Sequence, residues 1–222
     1  MRRSKLKPRF QLALDIVTWE KAKQLASSLL NYVDIIEVGT PLILRYGLSI
    51  VTEIKSLVGE KKVFADTKIV DAGGWETEES LRSGADMVSV LAGASFFTLQ
   101  EAKEVCRERG AQLVVDTIDF FFPCPEKMKE IREVNPDFLS LHLASDAFQK
   151  GESWLEVMEK SPFLREGGYS FMVAGGISAV SLPQIMKEVS PAVVVVGSAI
   201  TNSPHPEEEA REIRRIIDEF EF

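Results

Sequence analysis

Short apolar runs alternate with amphipathic stretches along the whole chain, and the rhythm repeats eight times. The runs are Phe10–Ile16, Val33–Val38, Val63–Asp66, Asp86–Leu91, Gln112–Thr117, Asp137–His142, Ser170–Ala174 and Ala192–Val196. Stretches such as Val193-Val194-Val195-Val196 are apolar at every position, which suits parallel strands buried on both faces. Between the runs, apolar residues recur at helical spacing. Thr18 reads as the N-cap of a helix through Leu30. A helix from about Leu42 to Val58 ends at Gly59, one from about Glu76 ends at Gly84, and one over Phe97–Arg109 stops at Gly110. Pro125–Val134, part of Trp154–Leu164, Leu182–Val189 and Pro206–Phe220 complete the series. Three glutamates open the last of these, where the helix dipole favours them. Eight strand–helix units predict an α/β fold, a closed (β/α)8 TIM barrel. A doubly wound open sheet is the alternative, but no first-turn G-x-G-x-x-G supports it.

Composition narrows the picture. The 222 residues suit one domain, read as a barrel over 10–222 behind a basic tail at 1–9. The tail lacks an apolar segment behind it, so it does not read as a secretory signal. A net charge of −8 argues against a nucleic-acid footprint, and an anionic ligand would need a local site. No apolar stretch approaches the ~20 residues of a membrane helix. Cys106 and Cys124 lack metal-type spacing and suggest a reducing, cytoplasmic setting. Cys106 falls in a helical pattern and reads as a small core residue.

In a barrel of this kind chemistry sits where strands end. The third run leads into Asp66-Thr67-Lys68-Ile69-Val70-Asp71, then Ala72-Gly73-Gly74. Alternation along a strand puts Asp66 and Lys68 on one face, and the glycines let the following turn bend. Taken alone, the hexapeptide is equally a surface ion pair leading into a helix cap. Other strand ends change that balance: Asp15, Glu37, Asp116 and His142, with Gly175-Gly176 and Gly197-Ser198 after the seventh and eighth strands. One acid after a strand is often a helix cap; five acids, a lysine and a histidine on one rim are not explained that way. The glycine loops suit phosphate, because bare backbone N–H groups approach its oxygens closely. Glu37 and Asp66 offer hard oxygens for Mg²⁺, which takes one or two carboxylates and leaves places for water and substrate. Lys68 adds positive charge, and His142 has the intrinsic pKa to move a proton at neutral pH. This chemistry fits proton or carbon chemistry beside a carbonyl, on a phosphorylated small molecule.

These residues resemble the orotidine 5′-monophosphate decarboxylase superfamily, whose D-x-K-x-x-D signature is Asp66, Lys68 and Asp71 here. The resemblance runs from Leu12-Ala13-Leu14-Asp15 through Ile36-Glu37-Val38-Gly39-Thr40-Pro41 to Val173-Ala174-Gly175-Gly176-Ile177 and Val196-Gly197-Ser198-Ala199-Ile200. Ala72-Gly73-Gly74 follows the sugar-phosphate branch, not the orotidine decarboxylases proper. The resemblance implies Mg²⁺ held by Glu37 and Asp66, and Lys68, His142, Asp71 and Asp116 as catalytic residues. It implies substrate binding by Asp15, Ala174, Gly175, Gly176, Gly197 and Ser198. It also implies a homodimer in which Asp71 completes the neighbour's site.

Two activities of the branch share an enediolate. One is a hexulose-6-phosphate synthase joining ribulose 5-phosphate to formaldehyde; the other decarboxylates 3-keto-L-gulonate 6-phosphate. The decarboxylase pattern has Glu after strand five, Arg three residues past the His, Thr before Gly-Gly and Arg after the strand-eight Gly. This chain has Asp116, Ser145, Ala174 and Ser198. Asp116 and Ala174 match the synthase pattern; Ser145 and Ser198 are small but are not its usual residues. Losing two arginines removes fork-shaped cationic donors, so the synthase is favoured. A non-catalytic sugar-phosphate-binding barrel is the third reading, disfavoured because a binder has no need of a lysine set between acids. Phe120-Phe121-Phe122 reads as a packing loop, with a cover over the substrate as the alternative, and Trp75, beside Asp71, as part of the dimer contact.

Overall fold

The computed structural model describes residues 7–118, 125–161 and 168–221. The sequence's Phe120-Phe121-Phe122 loop and Cys124 lie outside them.

Eight parallel strands close in sequential order: β1 (Arg9–Leu14), β2 (Ile35–Val38), β3 (Lys62–Ile69), β4 (Met87–Leu91), β5 (Gln112–Asp116), β6 (Phe138–His142), β7 (Phe171–Ala174) and β8 (Val193–Val196). β1 pairs with β8, so the sheet has no free edge. The helices are α1 (Trp19–Ser28), α2 (Thr40–Tyr46), α3 (Ser49–Val58), α4 (Gly73–Arg82), α5 (Phe96–Arg109), α6 (Pro125–Val134), α7 (Ser145–Gln149), α8 (Trp154–Glu159), α9 (Leu182–Val189), α10 (Ser198–Thr201) and α11 (Pro206–Glu219). The (β/α)8 expectation therefore holds, with local corrections.

Thr18 caps α1 as expected, accepting from the Lys21 N–H, and Gly110 ends α5 in the left-handed region. The helix expected over Leu42–Val58 is two helices, parted at Gly47, whose φ is +72°. Arg9 belongs to β1 and not to a tail, with its guanidinium over the Phe138 ring. The glycines after Asp71 do not form a turn. They open α4, and the left-handed residues of this region are Lys68 and Ala72. Gly73 is needed for closeness: a Cβ there would lie 2.1 Å from the Thr98 carbonyl oxygen on α5. Cys106 is fully buried, and burial pushes its thiol up to about 12.

Strand alternation divides the core. Outward residues such as Leu12, Leu14, Val63 and Ala65 pack under the helices. Inward residues Ala13, Ile35, Phe64, Met87, Val114, Phe138, Met172, Ala174, Val193 and Val195 fill the barrel. Toward the C-terminal ends this inward face turns polar, from Ile35 to Glu37, Phe64 to Asp66, Met87 to Ser89, Val114 to Asp116, and Phe138 through Ser140 to His142. The apolar floor thus fixes which way the charged groups point. No helix among the described residues is long and apolar enough to cross a membrane.

Candidate active site

The site begins with an irregularity in β3. Ala65 pairs with Val88 and Ile69 with Val90, so Asp66, Thr67 and Lys68 stand against Ser89 alone. Lys68 takes φ of +50°, which costs a non-glycine residue about 1–2 kcal/mol. Ser89, fully buried on β4, supports the bulge: its hydroxyl accepts from the Lys68 N–H at 2.9 Å and donates to Asp66 Oδ1 at 2.7 Å. Asp66 and Lys68 do meet, as the sequence predicts, but through this bulge and not through regular alternation.

From there the charges form a chain across the barrel. Lys68 Nζ lies 2.7 Å from Asp66 Oδ2 and 3.0 Å from Asp116 Oδ2. The same Asp116 oxygen lies 3.0 Å from His142 Nδ1. Thr40 Oγ1 donates to the Asp66 carbonyl oxygen and to its Oδ2, and the Ile118 N–H donates to Asp116 Oδ1. Burial would lower the Lys68 ammonium's affinity for its proton, but Asp116 and then Asp66 outweigh it and raise the pKa. Burial would raise Asp116; His142 and then Lys68 outweigh it, and the carboxyl is held well below the usual range. Burial would lower His142, but Asp116 outweighs it, so the imidazole is raised and Nδ1 is its anchored nitrogen.

The other side of the barrel is short of positive charge. Burial, then Asp66 and Asp15, push Glu37 well above the usual carboxylate range, and only a hydrogen bond from Gln11 and the charge of Lys68 oppose them. Burial, then Asp66, raises Asp15 as well. Crowded hard-oxygen donors are the type a divalent cation takes, and Glu37 and Asp66 are the two that the sequence offers for one. Among the described residues no three Asp, Glu, His or Cys side chains form a closed cage.

A family model for orotidine 5′-phosphate decarboxylase / HUMPS proteins matches residues 8–213. The chain belongs to this family. It is 33% identical to the 3-hexulose-6-phosphate synthase 2 of Staphylococcus saprophyticus over 208 residues, 94% of this chain and 96% of that one. The crystal structure of 3-hexulose-6-phosphate synthase from Salmonella typhimurium superposes with a TM-score of 0.87 at 34% identity, covering 94% of this chain and 98% of that one. A crystal structure of KGPDC from Streptococcus mutans gives a TM-score of 0.87 at 27% identity, covering 95% of this chain and 97% of that one. As a member of this family the chain is an enzyme, a lyase.

Within this family member the sequence's site residues fall into three groups. Glu37, Asp66, Asp116, His142 and Ala174 line one cavity, with Lys68 bonded between two of its acids and Asp15 under the charge of Asp66. Gly175, Gly176, Gly197 and Ser198 follow β7 and β8 at the same barrel end. Gly175, at φ +93°, sits so close to the residue after β6 that a Cβ would lie 1.9 Å from the Leu143 carbonyl oxygen, and Trp154 Nε1 donates to the Gly175 carbonyl at 2.7 Å. Asp71 stands apart: it is exposed, and its Oδ1 accepts from the Ala72 N–H. Sequence reasoning missed Gln11, Thr40 and Ser89. Gln11 and Ser89 were visible as polar residues at inward positions of apolar runs.

Proposed function

We propose that this barrel forms or cleaves a hexulose 6-phosphate, joining ribulose 5-phosphate to formaldehyde through the sugar's enediolate. One observation carries the reading: Asp116 is shared by Lys68 and His142, which sets a fixed positive charge beside a proton carrier in the pocket. The relatives named as synthases, at 33% and 34% identity, support it over the decarboxylase. Asp116, Ser145, Ala174 and Ser198, in place of that activity's Glu, Arg, Thr and Arg, support it too.

In this scheme the C1 proton of ribulose 5-phosphate leaves, and the resulting carbanion is delocalised as an enediolate over C1 and C2. Lys68, charged and anchored by two carboxylates, opposes the negative charge that develops there. C1 then bonds to the formaldehyde carbon, and the former aldehyde oxygen takes up a proton. His142, bonded through Nδ1 to Asp116, presents Nε2 for these transfers. Glu37 and Asp66 would hold Mg²⁺, which supplies Lewis-acid stabilisation of the enediolate. Backbone N–H groups of the Gly175-Gly176 and Gly197-Ser198 loops would hold the phosphate.

A homodimer is part of the proposal, with Asp71 reaching the partner's site. Asp71 is exposed beside Val70 and Trp75, which are 59% and 68% exposed, and these supply apolar surface for such a contact.

The test is to incubate pure protein with Mg²⁺, ribulose 5-phosphate and formaldehyde. Hexulose phosphate should form, and Lys68→Ala should abolish it while leaving the circular dichroism spectrum unchanged. CO₂ released from 3-keto-L-gulonate 6-phosphate, without hexulose phosphate, would establish the decarboxylase instead. Ribulose 5-phosphate binding without either turnover would make the barrel a binder.

A further inference from the structure

Gln11 is a fully buried polar residue on the inward face of β1. Its Nε2 donates to Glu37 Oε2 at 2.6 Å. Its own Oε1 is buried and has no hydrogen-bond partner among the described residues. Buried polar atoms are bonded in the great majority of cases, so an orphan lining a pocket marks a place for a water or a ligand atom. The pocket is a cavity of ≈ 10 Å³ that Gln11 lines together with Glu37, Asp66, Asp116, Ser140 and His142. That is room for about one water molecule.

An amide suits this place for two reasons. It donates to Glu37 without adding a further negative charge to Asp15, Glu37 and Asp66. By engaging Oε2 it also restricts rotation of the carboxylate. We propose that Gln11 is a positioning residue for a divalent cation: its N–H group fixes Glu37, and its free Oε1 accepts a hydrogen from a water carried by that cation. This inference rests on the cation-binding part of the function proposed above.

Two measurements test it. Mn²⁺ affinity, followed by the electron paramagnetic resonance of free Mn²⁺, compares wild type with Gln11→Met, which keeps the length and removes both polar atoms. The dissociation constant should rise about 10–100-fold. A merely structural Gln11 would instead lower the melting temperature and leave the constant within about twofold, which would overturn the proposal. The second measurement leaves Gln11 unchanged, so it stands even if Gln11→Met fails to fold. In a Mg²⁺ titration the Gln11 side-chain N–H₂ resonances should shift in wild type and stay still in Glu37→Gln. If other strand-end resonances respond and those of Gln11 do not, the proposal is wrong while cation binding stands. If nothing responds, the cation reading itself fails and takes this inference with it.

Discussion

Replacing Asp116 with Asn tests the charge chain at its centre. The carboxylate accepts from Lys68 Nζ and from His142 Nδ1, each at 3.0 Å. Lys68 retains Asp66 at 2.7 Å after the change, but His142 loses its charged partner. A hydrogen bond to a charged group contributes about 1.5–3 kcal/mol. At about 1.4 kcal/mol per pKa unit, removing it should lower the His142 midpoint by about one to two units. The assay is a proton NMR titration of the imidazole resonances. The chain has two histidines, so a His205→Gln variant assigns them. The sign also fixes a stability trend. Because the folded-state pKa of His142 is raised, its contribution is complete below the ordinary value near pH 6.5 and disappears as pH rises through the folded value. Wild type should therefore lose stability across that window, and Asp116→Asn should show a flatter slope. An unchanged His142 midpoint in the variant would refute the reasoning.

Ser89→Ala removes the donor to Asp66 and the acceptor for the Lys68 N–H. An unsatisfied buried N–H costs about 1–3 kcal/mol, and in a domain of this size each kcal/mol lowers Tm by roughly 2–4 °C. Turnover should fall in Ser89→Ala and persist in Ser89→Thr; a melting curve and activity matching wild type in Ser89→Ala would remove the hydroxyl from the argument. Gly73→Ala forces a Cβ onto the Thr98 carbonyl, backbone against backbone, and should cost about 1–3 kcal/mol in a denaturant titration at unchanged slope. Mixing Lys68→Ala with Asp71→Ala subunits should restore about a quarter of wild-type activity if the site is shared, since half the dimers then carry one intact site. No recovery despite demonstrated subunit exchange would end the shared-site proposal.

The barrel was legible because its strands are buried on both faces and its helices are punctuated. Thr18, Gly59 and Gly110 mark ends by local chemistry, and Leu182–Val189 was bounded to the residue. The charged rim was legible because inward residues repeat every second position, so strand ends could be read together. What stayed hidden depends on contacts between strands. Nothing local says that Lys68 adopts a left-handed conformation, because the reason is Ser89 on the next strand. Gly73 looked like a turn residue because its real constraint, the Thr98 carbonyl, lies on α5. Gln11 sits between Phe10 and Leu12 and becomes informative only once Glu37 is beside it. The short helices α7 and α10 contain too few residues to show a period.

The bulge facing Ser89 also sets the size of the piece that carries this chemistry. Asp66 and Lys68 owe their orientation to a hydroxyl on β4, so the hexapeptide moved alone to another barrel would arrive without its brace. A transplant would have to take β3 and β4 as a pair, with the Val88–Val90 register intact. A designer, or a recombination event, that cuts between those two strands separates the charges from what aims them.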